Sequence, residues 1–173
     1  IKPELLAIEA LMETNADSAL VLLEQFHELV SVDNYNQAYA NLLLTEAYIE
    51  QDKSLLSADS LLNISIELFD REEDYPYAAR LWYCKGKVWE ELREPQKAIE
   101  SYYKSLGYLE KTPDRLLFLR IYNDLGNLYF DQDLPDESLN MFKAGYEYTE
   151  EWGIESRKFV ALRNIGLAYT YLE

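Results

Sequence analysis

The chain has 173 residues, of which 49% are hydrophobic, while only six are glycine and five are proline. This composition supplies enough apolar surface for a packed core and favours long helices over a turn-rich β fold. The formal net charge of −16 repels nucleic acid phosphates and anionic membranes, so we expect no direct nucleic acid binding by this segment. No run of about 20 apolar residues predicts a membrane span.

Prolines and charged turns divide the chain into nine predicted helices. Pro95 and Pro135 stand 40 residues apart, each after a charged turn, and proline is tolerated in the first turn of a helix. Pro3, Pro76 and Pro113 lie near the starts of other helices. Because the loops are short, we expect consecutive helices to be antiparallel neighbours. The predicted helices span residues 3–13, 15–30, 34–51, 54–71, 76–93, 95–111, 114–132, 135–152 and 155–172.

A column of small residues returns along the chain at spacings of 38, 41, 40 and 40 residues. Its members are Ala7, Thr45, Gly86, Gly126 and Gly166. Sixteen positions after the first four stand large residues: Leu23, Leu61, Tyr102 and Phe142. Glycine inside a helix costs roughly 1 kcal/mol relative to alanine, so its periodic return indicates a packing role. We predict that the small positions are holes, and that large side chains of the adjacent helix fill them as knobs.

The third and fourth copies of this pattern resemble the tetratricopeptide repeat. The residues that carry the resemblance are Trp82, Gly86, Trp89, Ala98 and Tyr102, then Tyr122, Leu125, Gly126, Tyr129, Ser138 and Phe142, and half of another copy at Leu162, Ile165, Gly166 and Tyr169. The resemblance implies an all-α, right-handed α-solenoid of antiparallel helix pairs. It implies one array over residues 1–173, with pairs at 1–30, 34–71, 76–111 and 114–152 and a lone first helix at 155–172.

The opening segment EALMETNADSALVLLEQF is similar to the first repeat of bacterial tetratricopeptide proteins that are envelope lipoproteins or sensor-regulators. This similarity favours the periplasmic side of a bacterial envelope over the cytoplasm. The chain begins at Ile1, and its last helix carries apolar residues with no second helix to cover them: Phe159, Leu162, Ile165, Tyr169 and Leu172. We therefore expect a fragment of a longer protein or, alternatively, a homodimer through this uncapped C-terminal helix.

No group of residues predicts catalysis, a cofactor or a metal site. His27 is the only histidine and Cys84 the only cysteine, so one chain can build neither a Cys/His zinc site nor a cysteine–histidine catalytic pair. The acidic run at 131–137 lacks the glycine and distal glutamate of an EF-hand. Asp133 is instead predicted to cap the helix that begins at Pro135. We therefore expect a protein that is not an enzyme.

An array of this kind lines its concave groove with the first helix of each pair. The positions that face the groove are Arg80, Tyr83, Lys87, Arg120, Asn123, Asn127, Val160, Arg163 and Leu167, with Asn164 beside them. Four of the sixteen basic residues thus fall on one predicted surface. Asparagine can hold a peptide backbone and arginine can bind a carboxylate, which predicts an acidic peptide or protein partner. The alternative is an ordinary solvated surface with its cations paired to nearby glutamates.

The leading prediction for function is therefore a non-catalytic scaffold that binds a peptide or protein in its concave groove. The alternatives are a sensory segment of a larger transcriptional or signalling regulator and a homodimerisation module. Tyrosine is a favourable contact residue, because it offers a large area with little loss of entropy. Tyr35, Tyr39, Tyr83 and Tyr103 fall outside the aromatic columns, so we expect them to be exposed.

Overall fold

The structure, a computed structural model, describes residues 1–29 and 33–171, with the side chains of residues 27–29 outside the description. The side chain of His27 and all of Leu172 therefore lie outside the described part. Nine helices are described: α1 (Pro3–Met12), α2 (Ala16–Leu29), α3 (Asn34–Glu50), α4 (Ala58–Arg71), α5 (Tyr75–Glu91), α6 (Pro95–Leu109), α7 (Arg115–Asp131), α8 (Pro135–Trp152) and α9 (Glu155–Tyr169). The predicted all-α fold is confirmed. None of the described helices has the length and apolar character needed to cross a membrane.

The predicted helix starts at Pro95 and Pro135 are confirmed, but the predicted start of α4 at residue 54 is wrong. The Glu91 carboxylate accepts hydrogen bonds from the Ser54 hydroxyl at 2.7 Å and from the Leu55 backbone N–H at 2.6 Å. These bonds hold residues 54 and 55 against α5 in a non-helical segment, and the helix begins only at Ala58.

Asp133 does not cap α8, contrary to the prediction, because it occupies the preceding turn in a left-handed conformation, with φ at 56°. The N-cap of α8 is Leu134, which makes no side-chain cap bond. Asp52 and Arg93 have the same backbone conformation, with φ at 50° and 59°. All three stand seven residues after a small-column position. In each turn the next N–H bonds a carbonyl five residues back, as in a Schellman motif: Lys53 to Tyr48, Glu94 to Trp89 and Leu134 to Tyr129.

The chain divides into two compact units, unit 1 at Ile1–Thr112 and unit 2 at Pro113–Glu173. Within unit 1 each helix packs on the next, and α3 also contacts both α1 and α5. Within unit 2 the helices α7, α8 and α9 all pack on one another. Each unit thus stacks helices as repeats of helix pairs do. The single array over residues 1–173 stays a prediction.

Gly86 and Gly126 are holes filled by aromatic rings, as the columns predict. A Cβ atom added at Gly86 would lie 2.3 Å from Cε1 of Tyr102, and one at Gly126 would lie 2.3 Å from Cε1 of Phe142. Both rings are buried in the core. Gly166 differs from them: apart from its own stretch of helix, no described atom lies within 4 Å of its Cβ position. The knob-and-hole prediction is therefore confirmed at two positions, and the third hole is open.

The expectation that the off-column tyrosines are exposed is wrong for two of the four. Tyr39 and Tyr83 are buried, and the Tyr83 ring lies 5.8 Å from the ring of Tyr102. Tyr103 is exposed as expected, while Tyr35 is half-buried. The error arises because these two rings pack on neighbouring helices of unit 1, Tyr39 against Tyr77 of α5 and Tyr83 against Tyr102 of α6.

Candidate functional site

Arg80, the first predicted groove residue of unit 1, is enclosed by carboxylates from two other helices. Its Nε and Nη2 atoms bind the two oxygens of Glu46 on α3 at 2.8 and 2.6 Å, which is the bidentate geometry of strong arginine–carboxylate pairs. Its Nη1 atom lies 2.8 Å from Glu9 Oε1 on α1. Burial disfavours the charge of Arg80, but attraction to Glu46 and Glu9 outweighs it and raises the pKa of the guanidinium. Arg80 therefore joins α1, α3 and α5.

Tyr39 adds a hydrogen bond to the ion-pair cluster that Arg80 forms with Glu9 and Glu46. Its hydroxyl donates a hydrogen bond to Glu9, the same carboxylate that faces Arg80. Burial, together with this hydrogen bond, raises the pKa of Tyr39 above the ordinary value for tyrosine. The polar groups around Arg80 thus bind one another across the inside of unit 1, and the cluster stabilises helix packing.

The other two predicted groove residues of unit 1 also face partners within the chain. Tyr83 is buried and offers little surface to another molecule. Lys87 Nζ lies 2.9 Å from Glu90 Oε2, one turn further along α5. For Arg80 and Lys87 the geometry matches the alternative weighed above, in which basic groups pair with nearby glutamates.

Unit 2 contains an open pocket among α7, α8 and α9, with about 470 Å³ of empty space that includes some open solvent. It is lined by Leu119, Arg120 and Asn123 from α7, by Met141, Phe142, Gly145 and Thr149 from α8, and by Arg157, Val160 and Ala161 from α9. The Thr149 hydroxyl donates to the Gly145 carbonyl at 2.8 Å, so its donor is used within the helix. The pocket therefore combines an apolar wall with a few polar groups, as small-ligand and peptide sites do.

The charge of this pocket differs from that of the whole chain. Its described lining includes two arginines, Arg120 and Arg157, and no aspartate or glutamate. The whole chain, by contrast, has 32 acidic and only 16 basic residues. Two guanidinium groups beside an apolar wall can hold a carboxylate or a similar anionic group whose neighbours are apolar.

A chain of hydrogen bonds joins three of the predicted site residues next to the pocket. Nε and Nη2 of Arg163 donate to Asn164 Oδ1 at 3.1 and 3.0 Å. Nδ2 of the buried Asn164 in turn donates to Asn123 Oδ1 at 2.6 Å, which ties α9 to α7. Asn123 Nδ2 then donates to Asp124 at 3.2 Å. These amides fix the spacing of the two helices that carry Arg120 and Arg157.

The structure thus brings four predicted residues of unit 2 into one region, namely Arg120, Asn123, Arg163 and Asn164. Asn127, one turn beyond Asn123, is exposed and outside the pocket lining. The sequence reasoning missed Arg157, although it stands three residues before Val160, so continuing the helical spacing one step back would have found it. The α8 residues of the pocket were missed because only first helices were considered.

Three solved structures superpose on most of this chain. The crystal structure of BtubC (BKLC) from P. vanneervenii matches with a TM-score of 0.73 and 15% identity, over 92% of this chain and 67% of that one. A putative kinesin light chain from Podosopora anserina with nearly identical TPR-like repeats gives 0.69 and 13%, over 96% and 84%. The chain has a tetratricopeptide-like fold. MamA matches this tetratricopeptide-like chain with a TM-score of 0.59 and 26% identity, over 84% of this chain and 76% of MamA.

Comparison by sequence adds no further relationship. No protein-family model matches the chain, and no curated protein matches it. The tetratricopeptide-like fold is therefore supported by the backbone similarity and by the filled holes at Gly86 and Gly126.

Proposed function

We propose that this protein is a non-catalytic scaffold that binds an acidic segment of a partner protein in the pocket of unit 2. The observation that carries the proposal is the lining of the pocket, which has two arginines, an apolar wall and no described acidic residue in a strongly acidic chain. The segment that fits is a short peptide with a carboxylate side chain next to an apolar one. The carboxylate binds Arg120 and Arg157, and the apolar group contacts residues such as Met141 and Val160.

The negative charge of the rest of the chain confines the binding of an acidic segment to this pocket. A partner with acidic groups is repelled by most of a surface whose net charge is −16, and it gains attraction only near the two arginines. Electrostatic complementarity of this kind contributes specificity more than bulk affinity. The apolar wall supplies the part of the binding free energy that salt does not screen.

Asn123 and Asn164 support this site as positioning residues. Both oxygen atoms of their amides accept hydrogen bonds within unit 2, from Asn164 and Arg163 respectively. The hydrogen bond between the two amides therefore ties α9 to α7 beside the pocket. Arg80, Tyr83 and Lys87 are not part of the proposed site, because their side chains are paired or buried within unit 1.

The proposal is tested with two sets of synthetic peptides that differ only in charge. One set places glutamates beside leucine or phenylalanine, and the matched set carries glutamine in place of glutamate. Fluorescence anisotropy measures the affinity of each set for the chain. We expect binding of the glutamate set only. The double substitution Arg120→Glu and Arg157→Glu should weaken it by at least about tenfold, since a hydrogen bond to a charged group contributes about 1.5–3 kcal/mol and ~1.4 kcal/mol is a factor of ten.

The matched control reverses two basic residues of unit 2 that lie outside the pocket. Arg115 and Lys143 are exposed and make the same change in net charge when both are replaced by glutamate. We expect this control to retain most of the affinity. An equal loss in both double variants would show a response to net charge alone, and failure of the unaltered chain to bind the glutamate peptides would overturn the proposal.

A further inference from the structure

Three lysines form a regular row along α6 and the turn that follows it. Lys97, Lys104 and Lys111 stand seven residues apart, which keeps them on one side of the helix, and all three are exposed. Each covers an aromatic ring of α5, and these rings repeat at the same interval. The Nζ atoms of the three lysines lie 4.6, 4.0 and 4.1 Å from the ring centroids of Trp89, Trp82 and Tyr75 respectively. We call the three lysines the lysine row.

The aromatic rings order the side chains of the lysine row within the free protein. A cation above a ring is attracted by the electrons of the ring, and the lysine stem covers apolar surface at the same time. A lysine in water loses much of its rotamer freedom when it binds a partner. Because these lysines already lie on rings, they lose less of it, and the row is preorganised to bind anionic groups.

Two members of the lysine row have no carboxylate partner among the described residues. Lys97 Nζ lies 3.6 Å from Glu94 Oε1, and both side chains are about half exposed. Lys104 and Lys111, by contrast, contact rings and form no ion pair within the described part of a chain that has 32 acidic residues. Their exposed ammonium groups can therefore bind carboxylates of another molecule.

Gly107 lies on the same side of α6, three residues after Lys104 and four before Lys111. It is exposed, and apart from its own stretch of helix no described atom lies within 4 Å of its Cβ position. It is not a left-handed C-cap glycine, because Gly153 is the one described glycine with a positive φ. Glycine lowers helix propensity, and at Gly86 such a glycine admits an aromatic ring of the adjacent helix. Gly107 offers the same close approach to a helix of another molecule.

We propose that this side of α6 binds an acidic helix of a partner protein, with carboxylates on the lysine row and an apolar side chain over Gly107. A helix matches the row because seven residues advance about 10.5 Å in either helix, so glutamates seven residues apart lie opposite successive lysines. An extended segment does not match it. At about 3.3 Å per residue the same interval spans three residues, which places successive side chains on opposite faces.

The neighbours of Gly107 determine where the contact is centred. Tyr103, one turn before it, is 47% exposed and adds aromatic contact area. The exposed Glu100 lies between Lys97 and Lys104, so it weakens the attraction at the start of the row. The contact is therefore centred on Lys104, Gly107 and Lys111. These residues belong to unit 1, so the inference does not rest on the pocket of unit 2.

Helical peptides in an alanine-rich host test the proposal by fluorescence anisotropy. The first peptide has three glutamates seven residues apart and a phenylalanine midway between two of them. The matched peptide has the same composition and helicity, with its glutamates spread around the helix. The chain carries Arg120→Gln and Arg157→Gln, so that the pocket of unit 2 does not supply the signal. We expect binding of the first peptide only, with an affinity that falls as salt is added.

Substitutions in the lysine row locate the contact. Lys104→Gln together with Lys111→Gln should weaken binding by at least about fivefold, because two ion pairs at the surface are lost. Lys2→Gln together with Lys53→Gln changes two exposed lysines of unit 1 outside the row and makes the same change in net charge, so this control should bind as the unaltered row does. Gly107→Ala should weaken binding at least twofold while it raises the thermal stability of the free chain.

Several results would overturn the inference. These are no binding of the first peptide, equal binding of the two peptides, or equal losses in the two lysine pairs. Duplex DNA and vesicles with anionic lipids carry negative charge without a helical spacing of carboxylates, and the net charge of −16 opposes both. Binding of either one that depends on Lys104 and Lys111, and is tighter than that of the first peptide, would also overturn it.

Discussion

Unit 1 and unit 2 place arginines at equivalent positions of the repeat but surround them with different neighbours. Arg80 in unit 1 is bound by Glu9 and Glu46, which come from two other helices. Arg120 in unit 2 lines a pocket together with Arg157, and no described carboxylate shares that lining. The same register position therefore serves packing between helices in unit 1 and lines a pocket in unit 2. The carboxylates of Glu9 and Glu46, which come from other helices, account for the packing role of Arg80.

Tyrosines in unit 1 show the same internal use of charge. The hydroxyls of Tyr35, Tyr39 and Tyr108 donate to Asp74, Glu9 and Asp70 respectively. The Tyr39 bond joins α3 to α1 and the Tyr108 bond joins α6 to α4, while the Tyr35 bond joins α3 to the N-cap residue of α5. These acidic residues of unit 1 thus stabilise contacts within the unit.

The largest expected effect on stability comes from removing Arg80. Arg80→Met leaves Glu9 and Glu46 close together without a cation, which should lower the free energy of unfolding by about 2–3 kcal/mol. This is less than the roughly 3–5 kcal/mol of a fully buried pair, because the three side chains remain between 20% and 34% exposed. Arg157→Met is the control and should change stability by less than about 0.5 kcal/mol. Urea denaturation measures both changes. Equal losses of unfolding free energy in Arg80→Met and Arg157→Met would contradict the different roles of the two arginines.

The next largest effect on stability is expected at two glycines within unit 2. Gly126→Ala places a Cβ 2.3 Å from the buried Phe142 ring, and overpacking of this kind costs about 1–3 kcal/mol. Gly166→Ala meets no described atom and should gain up to about 1 kcal/mol from helix propensity. Thermal unfolding at low protein concentration measures both changes. Opposite signs are expected, and a loss at both positions would show that Gly166 is covered.

These glycines illustrate what the sequence predicts well. The packing of Gly86 on Tyr102 depends on residues sixteen positions apart in one helix pair, so a single period reveals it. The bonds of Arg80 depend on Glu9 and Glu46, which are 71 and 34 residues away and belong to no repeating column. Spacing within a helix cannot show which carboxylate of another helix comes within reach. The sequence therefore left open whether Arg80 faces a groove or pairs with glutamates, and it did not single out Glu9 and Glu46.

A smaller effect is expected at the left-handed turn residue Asp133. Its φ of 56° favours glycine, because a Cβ in the left-handed region costs about 1–2 kcal/mol relative to the right-handed one. Asp133→Gly should therefore stabilise unit 2, although by no more than about 1 kcal/mol, since glycine also gains freedom in the unfolded chain. Asp133→Ala is the matched control. A higher denaturation midpoint for Asp133→Ala than for Asp133→Gly would contradict the cost that we assign to the left-handed conformation of Asp133.

The smallest effect concerns the folding stability of unit 1 at alkaline pH. Burial, followed by the hydrogen bond to Asp70, raises the pKa of Tyr108 to about 12 from a reference of 10.0. A raised pKa means that this stabilisation is complete below pH 10 and is lost as the pH rises through 12. Tyr108→Phe should therefore flatten the fall in stability across that window. Ultraviolet titration should show one fewer tyrosine ionising near pH 12, and an unchanged titration curve would contradict the bond to Asp70.

The most direct test of the different roles of the two units is an NMR titration of the ¹⁵N-labelled chain with a glutamate-containing peptide. Arginine Nε–H signals and backbone amides report where the peptide binds. We predict that the changes concentrate on pocket residues of α7, α8 and α9, including Arg120 and Arg157, while the Nε–H signal of Arg80 stays in place. Changes centred on Arg80 and α5, with the unit 2 pocket unaffected, would contradict the account.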